Sequence, residues 1–378
     1  MGYFESTSED LKHAASYALG RAAVGAQEIF LPAMVEGLDK DAMKKKYLIL
    51  SALRGFIQSS YQQSGGEGIA SSLAVIVPHL EEHCSDEEEG VRTMVAECMG
   101  SLACMQPATI LPKLVELANA HSAIDAPNGT VDPDDAASKK NSLVCWTVGT
   151  SVKLAIAGDL DPTQLAKSMP SLLKLLEVKE LGVRNAALLM VYSTVHHMPQ
   201  VVAGLMKDQI MPSLYEVANF KLERKVDLGP FKHTVDDALP LRKAAMSIFA
   251  TCLENLPANL DFVSFMPVLA QALGDVEDVQ LQAHQIVIGM CQRQPLHVVA
   301  AVETFVAPLE KTCLRKAGQK TGTELERLEE WKKSSIRAMV ALSKLEGAMS
   351  NRAFADLMDR TKSNAKFGAI IDSLEAEH

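Results

Sequence analysis

Few side chains in this 378-residue chain are spaced for chemistry. The adjacent pair His196-His197 is the most metal-like feature. Neighbours on a helix point about 100° apart, so the two imidazoles do not converge on one ion. The H-x-x-x-H spacing of a helical zinc site is absent. Gly65-Gly66-Glu67-Gly68 precedes a helical pattern but lacks the lysine and spacing of a phosphate loop, so it reads as a turn. No G-x-S-x-G nucleophile motif occurs. Seven cysteines include no C-x-x-C pair, and most fall on apolar helical faces. They read as buried free thiols of a reducing compartment. The expectation is a protein without catalytic residues, metal or cofactor.

What remains is chemistry of contact. Lys225 to Asp237, K-V-D-L-G-P-F-K-H-T-V-D-D, departs from the helical pattern around it. Val226 and Leu228 alternate with Lys225 and Asp227, Gly229-Pro230 interrupts, and Phe231, His233 and Val235 alternate with Lys232 and Thr234. Period two about a Gly-Pro break suggests a short β-hairpin. Gly-Pro is a weaker hairpin signal than Asn-Gly, so the same pattern also fits an irregular interhelical loop. His233 suits packing or hydrogen bonding better than proton transfer. A two-stranded hairpin is marginal in water, so it must lean on helices or be completed by a partner.

The elements that would carry it follow from composition and repetition. Hydrophobic residues make up 48% of the chain but aromatics only 5%, a balance that favours helix. A formal charge of -10, with no basic cluster against it, argues against nucleic acid or an anionic membrane as partner. No apolar run reaches the length of a membrane span, and no signal peptide is recognisable.

Five segments share one template, apolar or small at offsets 0, 3, 4, 7, 8 and 11. They begin at Leu11, Val91, Val183, Leu241 and Val279, each after an acidic residue suited to a helix N-terminus. Four carry Lys or Arg at offset 1: Lys12, Arg92, Arg184 and Arg242. A second ladder lies between them: Pro32, Pro78, Pro112, Pro170, Pro212, Pro267 and Pro308, each inside an apolar helical pattern. Successive gaps of 46, 34, 58, 42, 55 and 41 residues point to two-helix repeats of the HEAT or armadillo kind. The expected fold is an all-α right-handed solenoid of HEAT repeats over residues 1–345, with one inserted β-hairpin.

The gaps of 58 and 55 each hold an insertion. One, Ala120 to Asn141, is polar and reads as a flexible loop. The other contains the 225–237 stretch, which has apolar residues to bind with. At the ends, Leu11 to Ala22 has no complete preceding repeat, so the array is expected to be uncapped or truncated there. Residues 346–378 hold two short amphipathic helices, around Phe354, Leu357 and Met358 and around Phe367, Ile370 and Ile371, expected to cap the other end.

These features carry a resemblance. K-V-D-L-G-P-F-K-H-T-V-D-D-A-L-P-L-R-K-A-A, Lys225 to Ala245, resembles the terminal region of the cullin-associated, neddylation-dissociated (Cand, TIP120-type) proteins. A-A-S-Y-A-L-G at Ala14, E-E-G-V-R at Glu88 and V-A-E-C-M-G at Val95 extend it through nearly the whole chain; the 120–141 insertion departs from it. The resemblance implies a non-catalytic regulator of cullin-RING ubiquitin ligase assembly in cytoplasm and nucleus. In such proteins the C-terminal repeats engage the N-terminal domain of an unmodified cullin, bound with its RING subunit. A β-hairpin there occupies the surface of the substrate-receptor adaptor and promotes receptor exchange. Carried over, that hairpin is Lys225, Val226, Asp227, Leu228, Gly229, Pro230, Phe231, Lys232, His233, Thr234 and Val235. The N-terminal arch that covers the cullin's neddylation site has no counterpart in these residues. The alternative is a generic HEAT scaffold, transport-receptor-like or phosphatase-scaffold-like, in which the hairpin is incidental.

Overall fold

The computed structural model describes residues 2–40, 43–64, 67–124, 129–132, 134–228, 231–316, 318 and 321–376. Gly65, Gly66, Gly229 and Pro230, on which two turn expectations rest, lie outside the described residues. The chain divides into two units, residues 1–210 and 211–378.

The first unit holds α1 (Glu9–Gly25), α2 (Gln27–Lys40), α3 (Met43–Ser64), α4 (Leu73–Glu82), α5 (Glu89–Met105), α6 (Pro107–His121), α7 (Ala136–Ala157), α8 (Pro162–Leu172), α9 (Leu181–His197) and α10 (Pro199–Val202). The odd-numbered helices pack side by side as one layer; α2 on α4, α6 on α8 and α8 on α10 form the other. The second unit holds α11 (Met211–Asn219), β1 (Glu223–Leu228), β2 (Phe231–Asp236), α12 (Leu239–Asn255), α13 (Phe262–Ala272), α14 (Glu277–Arg293), α15 (Pro295–Cys313), α16 (Thr323–Ser343), α17 (Arg352–Lys362) and α18 (Ala365–Ala376). Here α12, α14, α16 and α18 make one layer and α11, α13, α15 and α17 the other. This is the two-layer packing of helical repeats.

The two sequence ladders separate the two layers. In the first unit the template segments lie in the layer of α1, α5 and α9 and the ladder prolines in the opposite one, in α2, α4, α6 and α8; in the second unit the template segments lie in the layer of α12 and α14 and the prolines in α11, α13 and α15. All six template positions of α5, α9 and α12 are buried. In α1 the face is open: Leu11 is 43% exposed and Ala14, Ala18 and Ala22 are exposed.

Three template helices escaped sequence reading because polar residues stand at core offsets. In α7 the six positions are Val144, Thr147, Val148, Ser151, Val152 and Ala155, all buried. Thr147 Oγ1 donates to the Cys84 and Leu143 carbonyls, and Ser151 Oγ to the Thr147 carbonyl, so neither hydroxyl is left unpaired. In α16 they are Leu328, Trp331, Lys332, Ser335, Ile336 and Met339, and in α3 Ile49, Ala52, Leu53, Phe56, Ile57 and Ser60, again all buried.

The polar insertion is shorter than Ala120 to Asn141. α6 runs through His121 and α7 begins at Ala136, with the Asp135 carboxylate accepting from the Ala137 amide as N-cap. Ser138, inside that stretch, and Ser142, just beyond it, are buried in the first turns of α7. Gly129 is buried with φ +77°, and a Cβ there would lie 2.9 Å from the Lys179 carbonyl oxygen. The insertion therefore closes against the turn before α9, a position that requires glycine. Of the cysteines, Cys104 is half-buried and the other six are buried; burial pushes the Cys84 and Cys98 thiols up to about 12. In 346–378, Phe354, Leu357 and Met358 of α17 and Phe367 and Ile371 of α18 are buried, and the two helices pack on α15 and α16.

Candidate interaction hairpin

β1 and β2 pair antiparallel, with Glu223 opposite Asp236, Arg224 opposite Val235, Lys225 opposite Thr234, Val226 opposite His233, Asp227 opposite Lys232 and Leu228 opposite Phe231. Directly opposed residues share a face of the ladder. The register therefore sets Arg224, Val226 and Val235 on one face and Glu223, Lys225, Asp227, Thr234 and Asp236 on the other. It begins two residues earlier than the alternation suggested, and Asp237 lies beyond the ladder. Lys225, Asp227 and Thr234 are exposed, Val226 is half-buried and Val235 is 37% exposed.

Both feet of the hairpin are tied to one buried cation. Arg242, in the first turn of α12, has no exposed surface. Its Nη2 lies 2.6 Å from Asp236 Oδ2, at the end of β2, and its Nη1 donates to the Phe220 carbonyl at 2.9 Å, just before β1. Nε and Nη2 also grip Asp275, at the turn before α14, at 2.8 and 3.2 Å. The other oxygen of Asp236 accepts from the Leu222 and Ala238 amides at 3.0 and 3.1 Å, and the Asp237 amide donates to the Leu222 carbonyl. Arg224 Nε lies 2.6 Å from Asp237 Oδ2. Burial opposes ionisation of Asp236, but the Arg242 guanidinium and the two amides outweigh it and hold the carboxyl below its usual range. Burial likewise opposes the charge on Arg242, and the Asp236 and Asp275 carboxylates more than restore it.

The network continues beyond the hairpin. Lys243 reaches Asp278 at 2.8 Å, and Arg327 of α16 lies 2.6 Å from Glu277 and 3.3 Å from Asp278. Three helices of one layer thus support the base of the hairpin. Sequence reading placed Arg242 only as the basic residue at offset 1. At the same offset Arg92 holds the carbonyls of Asp86 and Glu87 in its preceding turn. Asp236 and Asp275 had no signal of their own, being 39 residues apart in an acidic chain.

No ion site competes with this surface. His196 stacks on Tyr192 and meets His197 edge-on, with centroids 4.7 Å apart in the second contact. Among the described residues no three His, Cys, Asp or Glu side chains are grouped to hold a metal, and no helix is long and apolar enough to cross a membrane.

The two-layer repeat and its single inserted ladder define a HEAT-repeat protein of the α-solenoid class. Residues 76–103 match the HEAT repeat family model. Yeast importin-beta (Kap95p) superimposes with a TM-score of 0.63 at 13% identity, over 99% of this chain and 45% of that one. In a structure of Kap95p with RanGDP the score is 0.68 at 12% identity. These show the fold alone.

Sequence relationships are narrower. Residues 202–362, which include the hairpin, match the TIP120 family model, described as TATA-binding protein interacting (TIP20). The chain is 31% identical over 380 residues to cullin-associated NEDD8-dissociated protein 1 of Drosophila melanogaster, covering 99% of this chain and 29% of that protein. The Arabidopsis thaliana protein of the same name is 32% identical over 366 residues. A protein of Emericella nidulans named as the C-terminal part is 25% identical over 393 residues, 99% of this chain and 34% of its own length. The chain is a homologue of the cullin-associated NEDD8-dissociated proteins and spans about 29% of the length of the Drosophila relative.

Proposed function

We propose that this chain is a non-catalytic assembly factor for cullin-RING ubiquitin ligases, acting in cytoplasm and nucleus. It grips the N-terminal domain of an unmodified cullin, bound with its RING subunit. Its hairpin takes the surface that the substrate-receptor adaptor uses, so that one receptor leaves and another enters. The observation that carries this reading is the antiparallel hairpin fixed at both feet by Arg242, inside the stretch that matches the TIP120 family model. A hairpin held firmly at its base avoids part of the ordering cost of binding. No covalent step is needed: two bodies that claim one surface displace each other by sterics.

The test is a titration of adaptor into a preformed complex of this chain with an unmodified cullin. The adaptor should bind more weakly when the wild-type hairpin is present than when Lys225–Val235 is replaced by a Gly/Ser linker. Displacement is expected to be partial, through a transient ternary complex, because the helical array also holds the cullin. Equal adaptor affinity with and without the hairpin overturns the steric reading in favour of a generic HEAT scaffold.

A further inference from the structure

A groove of about 410 Å³ crosses α14, α16 and α18 of the second unit. Its walls are apolar, from Ile288, Val340, Ala341 and Leu374. Two exposed cations, Arg337 on α16 and Lys344 at its C-cap, lie on its rim, seven residues apart and so on the same side of that helix.

Neither cation is neutralised. Among the described residues no carboxylate lies within ion-pair distance of Arg337 or Lys344. Glu330 feels the field of Arg337, but its carboxylate is held by Lys333 at 2.6 Å. The groove across α3, α5 and α7 of the first unit is different: its arginine, Arg54, is paired with Glu97. Two unpaired cations beside an apolar trough offer an acidic ligand local attraction in a chain of formal charge -10.

We propose that this groove is a docking site for an acidic, leucine-bearing segment of a protein partner. Aliphatic side chains of the segment fill the trough between α14 and α16, and flanking carboxylates meet Arg337 and Lys344. Paired cations beside an apolar slot are how acidic motifs are commonly read, and the volume falls within the range of about 300–1,000 Å³ of ligand pockets. The groove runs along the C-terminal ends of α14 and α16, whereas the hairpin leads into the N-terminus of α12. The site is therefore a second hold, separable from the hairpin.

The test is fluorescence anisotropy of the full chain with a fluorescein-labelled peptide, Asp-Glu-Leu-Leu-Asp-Glu. Two control peptides carry Lys for every acid or Ser for both Leu. The acidic leucine peptide should bind tightest, and more weakly as salt is raised. The double variant Arg337→Glu, Lys344→Glu should weaken it about tenfold or more. Both positions are exposed, so helical circular dichroism should be unchanged. Replacing Lys225–Val235 by a Gly/Ser linker should leave peptide binding as it was, which separates this site from the hairpin reading. No binding at millimolar peptide, equal binding of the Lys or the Ser peptide, or indifference to charge reversal overturns the proposal.

Discussion

Arg242 Nη2 lies 2.6 Å from Asp236 Oδ2, joining a guanidinium with no exposed surface to the last residue of β2. The same guanidinium holds the Phe220 carbonyl and Asp275. One buried side chain thus fixes both feet of the hairpin to α12 and to the turn before α14. Removing it would take from Asp236 its cation and leave Asp275 only the half-exposed Lys221 at 3.7 Å. Arg242→Met should therefore destabilise the fold by about 3–5 kcal/mol, read as a lower urea midpoint. Lys225→Ala, at an exposed strand position, should stay within about 0.5 kcal/mol.

Asp236 gives the anchor a pH dependence. An aspartate in the unfolded chain titrates near about 3.9, and in the fold Asp236 is held lower. Its contribution is fully present above the unfolded value and is lost as pH falls through the folded one. Asp236→Asn should remove this component. Urea midpoints of wild type and variant should differ most near neutrality and converge as pH falls below about 4. A difference that is constant with pH would show that the carboxylate's charge is not what holds the foot.

The ladder above the anchor should be dispensable for folding. Replacing Lys225–Val235 by a short Gly/Ser linker keeps Leu222, Asp236 and Arg242. The flanking helices bury their own repeat faces, and loop length affects stability only weakly. Thermal melting should be nearly unchanged; a large loss of helical signal would make the ladder part of the core.

Binding should divide unequally among the hairpin residues. Leu228 pairs with Phe231 at the end of the described ladder. Aromatic anchors often cost about 2 kcal/mol or more when cut to alanine. Phe231→Ala should weaken binding to a cullin N-terminal domain about thirtyfold. Lys232→Ala, a rim charge in this reading, should cost less than about 1 kcal/mol. Equal losses in calorimetric titrations would show that Phe231 is not the anchor.

Two glycines test the packing of the template layer in opposite directions. A Cβ at Gly100 of α5 would lie 2.9 Å from the Ser151 carbonyl of α7, a backbone atom. Gly100→Ala should destabilise by about 1–3 kcal/mol despite its better helix propensity. At Gly289 of α14 the nearest atoms are the flexible ends of Leu253 and Arg293, at 3.4 and 3.5 Å. Gly289→Ala should be neutral or stabilising by up to about 1 kcal/mol. Thermal denaturation of the two variants reads both signs.

The template at Val91, Val183, Leu241 and Val279 and the proline ladder between them were enough to assign the repeat and its two layers. The apolar stripe of a helix is a local pattern written in one segment. The alternation of Lys225 to Val235 likewise disclosed the ladder, because side-chain direction in a strand has period two. Polarity hid a template helix where backbone satisfied it: Thr147 and Ser151 stand at core offsets of α7, buried and bonded to carbonyls.

The sequence alone thus determined the class of fold and the place of the hairpin. Each follows from periodicities of a few residues. Only the tertiary structure decided that Asp236, Arg242 and Asp275 meet at one point, and that among the described residues no carboxylate pairs with Arg337 or Lys344. Those facts depend on which helices stack beside which, and on the burial that makes a guanidinium seek two carboxylates. No local pattern encodes a contact between residues 33 or more positions apart, such as Arg242 and Asp275.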